Sequence, residues 1–317
     1  MFDINDYGLT VKQLYYEIVN DLGENNLIIG IDDTMTNGGK FYKLPNGNYS
    51  IKIASNSQND FVLSHELLHV CIGVNQTIPT MVHFDNSKDN VCEPLGILFN
   101  SLLEHKYIFT KQKSLGIDGY NDYINESYNK IIEARQFISD DINENFMIII
   151  RLITFINDLT PSCLDKPISN YCKTIEESMP QMYEIAYNFL KIHMNKDKET
   201  PYYLRKAIVQ FIDNFISLFE FNMSFIKYDI NVMLSVRENQ LYMPANTVLD
   251  LLLCEEKSYF ATKFDKQSIC NIKWTFPLSE VSKRRDSLEN IKLGELLEMY
   301  HIEYYIDDRK GAWYLKQ

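Results

Sequence analysis

The feature that most constrains this chain is a pair of histidines, His65 and His69, set four residues apart within an apolar stretch. On a helix, residues four apart lie one turn above each other on the same face, so both imidazoles can reach one metal ion. Glu66 follows the first histidine, and together these residues form the pattern H-E-x-x-H. A carboxylate in that place can accept a proton from a water molecule at the open side of a bound metal. The stretch therefore predicts half of a zinc site together with its general base.

The residues around this pattern predict the helix that the pattern needs. Ser57 and Asp60 have the spacing of a capping box, and Gly73 stands where a helix of this length would end. Apolar side chains recur between them at helical spacing and predict that the helix is buried. These residues are Phe61, Val62, Leu67, Leu68 and Ile72.

Two histidines do not complete a tetrahedral zinc site, so a third ligand is expected from another part of the chain. Glu104 is the first choice, because it lies within a predicted helix over residues 94–111 whose opposite face is apolar. Glu93 is an alternative near the start of that helix, where a glutamate also interacts favourably with the helix dipole. His105 and His83 are further alternatives.

Length and charge limit the classes of protein to which the chain can belong. The chain has 317 residues and a formal net charge of −12. Phosphate binding needs clustered Lys and Arg, so nucleic acid is not expected as the main partner. The first residues lack the regions of a signal peptide, and no apolar run is long enough to span a bilayer. We therefore expect no membrane association, a cytoplasmic location and reduced, mostly buried cysteines, and the oligomeric state stays open.

The hydrophobic patterns predict an α+β chain that is predominantly helical and has three consecutive regions. Residues 1–116 are predicted to fold as one small α+β domain with the H-E-x-x-H helix near its centre. Its other predicted elements are a helix at 9–22, a strand at 27–31, a hairpin of strands at 40–44 and 48–53, and the helix that carries Glu104. The strand at 48–53 directly precedes the H-E-x-x-H helix. It is the candidate for an outer strand whose free backbone groups can pair with an extended peptide, and an ordinary inner strand is the alternative.

The other two regions carry no motif. Residues 117–221 are predicted to form a helical bundle, from helical patterns at 128–139, 142–159, 175–194 and 201–219. Residues 222–317 are predicted to be mixed α+β. The elements expected there are a helix at 248–253, a strand at 269–276, a helix at 288–300 and a closing hairpin of strands at 302–306 and 312–315.

The first third of the chain resembles the zincin metallopeptidases. His65, Glu66 and His69 match the zincin motif on a helix that follows a small antiparallel sheet, and Glu104 matches by role and placement. This arrangement is similar to the glutamate-ligand branch, the gluzincins. It is also similar to cytoplasmic peptidases of the ImmA/IrrE type, in which a minimal peptidase domain precedes helical and mixed regions.

The resemblance implies a zinc-dependent endopeptidase that hydrolyses a peptide bond in a protein or peptide substrate, with a regulatory or host-directed role. Zn²⁺ would be held by His65, His69 and Glu104, and Glu66 would act as the general base. A second class stays open, namely a protein-binding or regulatory module whose metal site is vestigial or structural. It stays open because about two thirds of the chain carries no chemistry that motifs reveal.

Overall fold

The structure of the chain is a computed structural model. It describes residues 2–23, 25–44, 47–75, 82–84, 92–141, 143–159, 166–193, 210–211, 214–215, 217–219, 230–232, 234–254, 257–262, 269–274, 286, 288–300, 302, 304–307 and 313–316. The chain forms two compact units, each assembled from separate segments. The first unit contains Met1–Ile78, Ser101–Ile138 and Arg151–Glu184, and the second contains Pro79–Asn100, Ser139–Ile150 and Ile185–Gln317.

The first unit begins with helix α1, Leu9–Leu22, as predicted. Its buried residues Val11, Leu14 and Ile18 are three and four positions apart, which places them on one face of the helix. The helix ends at Gly23, whose φ of 89° is a conformation that glycine adopts without strain.

A three-stranded sheet follows α1 and is built from β1 (Leu27–Asp32), β2 (Gly39–Lys43) and β3 (Tyr49–Ala54). The strand order is β1-β3-β2, with β1 parallel and β2 antiparallel to β3. The hairpin of β2 and β3 is confirmed. The expectation that the strand at 48–53 is an outer strand is wrong, because β1 pairs with its other side. Among the described strands, β2 is the outer strand of this hairpin.

Helix α2, Asp60–Asn75, follows the sheet and carries the H-E-x-x-H pattern. Its first turn is capped by Asn59, whose Oδ1 accepts the N–H of Val62 at 2.9 Å. The predicted capping box is wrong, because the hydroxyl oxygen of Ser57 accepts the N–H of Gly38 instead. The neighbouring asparagine therefore takes the capping role that the spacing had assigned to the serine.

Gly73 lies inside α2, so the prediction that it ends the helix is also wrong. A Cβ atom at this position would lie 2.9 Å from the hydroxyl oxygen of Tyr49. Glycine is therefore required by the close approach of β3 to the helix, and its conformational freedom at a helix end is not what selects it.

Further helices complete the first unit. They are α3 (Cys92–Ser114) from Ser101 onward, α4 (Tyr120–Ala134), α5 (Phe146–Leu159) from Arg151 onward, α6 (Lys166–Ser178) and the start of α7 (Pro180–His193). The buried amide of Gln112 joins α3 to α2. Its Nε2 donates to the backbone oxygen of Phe61 and to Oγ of Ser64, each at 2.8 Å.

The second unit contains the remaining parts of α3, α5 and α7 together with short strands. Its described short helices include α8 (Ala245–Val248) and α9 (Leu293–Met299). Strand β4 (Val82–Phe84) pairs with β5 (Ile230–Val232), and β6 (Leu234–Val236) pairs with β10 (Tyr304–Asp307), which in turn pairs with β11 (Trp313–Lys316). A separate antiparallel sheet contains β7 (Leu249–Cys254), β8 (Lys257–Thr262) and β9 (Ile269–Trp274). The second unit has a buried apolar cluster with residues from several of these elements. It contains Leu234, Val236, Ala245, Val248, Leu249, Leu288, Leu293, Leu296 and Leu297.

The predicted class, α+β and predominantly helical, is confirmed. The strand at 269–276 and the closing hairpin are also confirmed, as β9 and as β10 with β11. The helix predicted at 248–253 is wrong, because these residues form β7. The helix predicted at 288–300 is confirmed only as the shorter α9, and most of the helix predicted at 201–219 lies outside the described residues.

Three other expectations concern the whole chain. Residues 117–221, predicted as one helical region, are shared between the two units. Cys71 and Cys172 are free thiols, and burial raises the pKa of Cys71 to about 11. In the part of the chain that the structure describes, every helix is too short or too polar to cross a membrane.

Candidate metal site

Helix α2 brings the two histidines of the motif together as the sequence predicted. Their Nε2 atoms lie 3.2 Å apart, and their rings are nearly perpendicular, with an interplanar angle of 76°. His69 is buried, whereas His65 is partly buried. The spacing of four residues therefore places two imidazole nitrogens close enough to share one ion.

Helix α3 supplies a third imidazole, that of His105. One ring nitrogen from each of His65, His69 and His105 can be chosen so that all three lie within 4.8 Å of one another. These three histidines can hold a metal ion. His105 was one of the alternatives that the sequence left open for the third ligand.

Glu104, the first choice for that ligand, lies behind His69. Nδ1–H of His69 donates to Oε2 of Glu104 at 2.6 Å, and the carboxylate is only 3% exposed. Consecutive residues on a helix point about 100° apart, and Glu104 contacts Nδ1 of His69 rather than the Nε2 that lies beside His65. The carboxylate instead fixes the ring of His69 and leaves its Nε2 directed at His65.

Asp158 plays the matching part for His105. Nδ1–H of His105 donates to Oδ1 of Asp158 at 2.8 Å, so Nε2 is the nitrogen that is left to bind a metal ion. Asp158 lies at the end of α5, 53 residues from His105 in the chain, and no motif connects the two. The available signal was a carboxylate in the last turn of an otherwise apolar helix, where a negative charge opposes the helix dipole.

The charges around the cluster set the protonation of its members. Burial, together with positive charge on His69 and His105, lowers the pKa of His65 well below its ordinary value. Burial alone would lower the pKa of His69 as well. The hydrogen bond to Glu104 and the negative charges of Glu104 and Glu66 outweigh that effect and raise it. His65 is therefore neutral at physiological pH, with a lone pair available for a metal.

Glu66, the predicted general base, is 6% exposed and lies against β2. A Cβ atom on Gly39 would come within 2.6 Å of Cγ of Glu66, so only glycine leaves room for this carboxylate. Burial raises the pKa of Glu66, the charges of His69 and His105 oppose this change, and the charge of Glu104 adds to it. The carboxylate is therefore a stronger base than an exposed glutamate.

Aromatic rings line the remaining sides of the cluster. Phe41 of β2 stacks on His69 with a centroid distance of 5.0 Å and an interplanar angle of 6°. Phe109 of α3 contacts His65 at 5.4 Å and His105 at 5.2 Å. These rings limit the access of water and hold the imidazoles in place.

The remaining sequence alternatives for the third ligand are Glu93 and His83. Glu93 and His83 lie at the start of α3 and in β4, but their side chains fall outside the described residues. Sequence reasoning selected none of Asp158, Gly39 and Phe41.

Comparison with known proteins adds no assignment. No family model, no curated protein and no solved structure matches the chain. Its function must therefore be inferred from the geometry of the site.

Proposed function

We propose that the chain is a zinc-dependent endopeptidase whose metal ligands are His65, His69 and His105 and whose general base is Glu66. The observation that carries this proposal is the convergence of three imidazoles beside a buried carboxylate. That carboxylate belongs to Glu66, which lies on α2 between His65 and His69. The resemblance of the motif to zincins, which pointed to this function from the sequence, acquires in this way a complete set of candidate ligands.

The donor set fits zinc. In a tetrahedral site with Zn–N bonds of about 2.05 Å, two ligand nitrogens lie about 3.3 Å apart. The separation of 3.2 Å between Nε2 of His65 and Nε2 of His69 is close to that value. Two of the three imidazoles also donate their Nδ1–H to a buried carboxylate, an arrangement common around zinc because it orients the ligand and raises its basicity.

The ligand count favours a catalytic over a structural site. Structural zinc sites are closed by four protein ligands, whereas catalytic sites have three and one open position. Among the described residues, the cluster contains three histidines. When bound, zinc supplies Lewis acidity and lowers the pKa of a water ligand toward neutrality.

The role of Glu66 in hydrolysis follows from its position next to His65 and from its raised pKa. Its carboxylate accepts a proton from the water molecule that attacks the scissile carbonyl, and then donates that proton to the leaving amine. Gly39 keeps open the space that this side chain occupies.

Strand β2 offers a place for an extended peptide. The N–H of Ala54 donates to the carbonyl of Gly38, and in an antiparallel pair such bonds alternate along the strand. The backbone groups of Gly39, Phe41 and Lys43 therefore face away from β3, toward an edge that no described strand covers. A peptide that added to this edge would pass Glu66 and His69, since Gly39 and Phe41 contact them.

The test compares three forms of the full chain, each supplied with one equivalent of zinc: wild type, Glu66→Gln and Glu133→Gln. Glu133 is exposed on α4 and provides the same chemical change away from the site. Each form is incubated with a peptide library from a digested proteome, and new termini are identified by mass spectrometry. We expect Glu66→Gln to bind zinc normally and to cleave at least about 100-fold more slowly, with Glu133→Gln unchanged.

Two results contradict the proposal. Cleavage by Glu66→Gln at the wild-type rate removes the assigned base. Zinc bound tightly by wild type, with no new termini from any peptide, instead favours the regulatory module with a structural or vestigial metal site. The burial of His69 and His105 is the feature that such a module would share.

A further inference from the structure

The carboxylate of Asp158 is 1% exposed and is bound on both sides. Its Oδ1 accepts Nδ1–H of His105 at 2.8 Å, and its Oδ2 accepts the hydroxyl of Tyr123 at 2.6 Å. We propose that Asp158 is a positioning residue that fixes His105 as the third metal ligand, and that Tyr123 in turn fixes Asp158. This inference rests on the proposed metal site and adds to it the parts of the chain that shape it.

The location of Asp158 has no local explanation. It lies in the last turn of α5, where the negative end of the helix dipole disfavours a carboxylate. A buried charge is also costly unless it is paired and hydrogen-bonded. Both costs are offset only by partners from other helices, namely His105 on α3 and Tyr123 on α4.

Helix α4 binds Asp158 through two tyrosines that contact different groups of this residue. Tyr123 donates to the carboxylate, whereas Tyr120 donates at 2.7 Å to the backbone oxygen of the same residue. Both rings pack on Phe109, with centroid distances of 5.3 and 5.2 Å. Only Tyr123 can therefore set the rotation of the carboxylate, and through it the ring of His105, although both tyrosines hold α4 to the end of α5.

A consequence concerns the extent of the functional domain. The H-E-x-x-H helix and the third ligand belong to the first third of the chain, but the groups that orient His105 come from residues 117–221. Asp158 of α5 and Tyr123 of α4 therefore extend the metal site into the region predicted as a separate bundle, and they affect the affinity of the site for its ion.

The two tyrosines provide a matched pair of variants, Tyr123→Phe and Tyr120→Phe, in the full chain, together with Asp158→Asn. The zinc dissociation constant of each is measured by competition with a chromophoric chelator, and the Co²⁺ forms are compared by visible absorption. We expect Asp158→Asn to weaken zinc binding about 10- to 100-fold, as is typical when a partner of a ligand histidine is lost. Tyr123→Phe should weaken it about 3- to 10-fold and alter the Co²⁺ spectrum, since the carboxylate loses one of its two partners.

Tyr120→Phe should leave the zinc affinity and the Co²⁺ spectrum unchanged while lowering the thermal unfolding temperature about as much as Tyr123→Phe. An equal loss of zinc affinity in both tyrosine variants overturns the proposal, because the effect would then be a general loosening of α4. Wild-type affinity in Asp158→Asn overturns it directly. If Asp158→Asn does not fold, the tyrosine pair alone decides.

The outcomes also separate this inference from the proposed function. Wild type that binds no zinc overturns both. Normal zinc binding by Asp158→Asn and Tyr123→Phe overturns only the role of Asp158, and zinc binding without peptide cleavage overturns only the peptidase.

Discussion

The first unit buries carboxylates and imidazoles, whereas the described core of the second unit is mostly apolar. The buried acidic residues and histidines of the described chain are all in the first unit: Glu66, His69, Glu104, His105 and Asp158. In the described part of the second unit, Tyr305 is buried, and the buried amide side chain is that of Asn145. Its amide is satisfied locally, accepting the N–H of Ser139 and donating to the backbone oxygens of Ser139 and Asp141.

This difference separates a region whose buried groups suit a functional site from one whose buried groups suit stability. Burying charged groups opposes folding, and clusters of such groups in one place are typical of functional sites. Asn145 shows the other use of a buried polar group, since it closes a turn before α5 and bonds only to neighbouring backbone. The comparison therefore predicts that metal and pH act on the first unit and leave the second largely unaffected.

The largest expected effect is that of zinc on the two units. At a free zinc concentration about 1,000 times the dissociation constant, binding should stabilise the unit that holds the ligands by about 4 kcal/mol. Hydrogen exchange with and without zinc should show slower exchange in α2 and in α3 from Ser101 onward, with α9 and β7 unchanged. Calcium, which prefers oxygen ligands, is the control and should protect neither unit. Equal protection of both units by zinc would contradict the prediction that the metal acts on the first unit.

A smaller effect is expected from changing one buried polar group in each unit. Glu104→Gln removes the negative charge that holds His69 and should weaken zinc binding about 10- to 100-fold. Asn145→Ala should leave zinc affinity unchanged and lower the free energy of unfolding by about 1–3 kcal/mol, because it leaves backbone groups without partners. Chelator competition and denaturant unfolding measure the two quantities. A zinc effect in Asn145→Ala would contradict the comparison.

The smallest effect is the pH dependence of the metal-free protein, measured in the presence of a chelator. The pKa of His65 is lowered on folding, so its contribution to stability is present above the ordinary histidine value of about 6.5 and is lost as the pH falls from there through the lowered pKa. The pKa of His69 is raised, so its contribution is present below that value and is lost as the pH rises through the raised pKa. Replacing either histidine should therefore change the slope of the free energy of unfolding against pH.

The two replacements act in opposite directions and serve as each other's control. Between about pH 8 and about pH 5.5, the free energy of unfolding of His65→Gln should fall less steeply on acidification than that of wild type, and that of His69→Gln more steeply. If both replacements changed this slope in the same direction, then either burial does not lower the pKa of His65 or Glu104 does not raise the pKa of His69.

The sequence was sufficient to predict the elements whose signals are local. Helix α1, the hairpin of β2 and β3, and helix α2 with its two histidines all follow from spacing within short stretches. The order of strands in the sheet was not predictable in this way. Whether β1 pairs with β2 or with β3 depends on contacts distant in sequence, and this pairing decides which strand is outermost.

The third histidine and its carboxylate show a different limit. Glu104 and His105 are adjacent, and the choice between them depends on how α3 is rotated about its axis, which helical periodicity fixes only approximately. Asp158 reaches the site from a helix 53 residues away, so only the tertiary fold reveals it. The error at β7 has a third cause, because a short, mostly apolar run has no periodicity that separates a buried strand from a buried helix.

A strand with an unpaired edge also creates a hazard, since it can pair with the same strand of another copy and begin aggregation. On β2 the side chains of Lys40 and Lys43 are exposed and bracket Phe41, which stacks on His69. Like charges facing each other across a strand pair are destabilising, so two molecules meeting edge to edge would repel at these lysines. A peptide that carries acidic residues at the corresponding positions would instead be attracted to the lysines. The same two side chains would then oppose aggregation and favour the binding of acidic peptides.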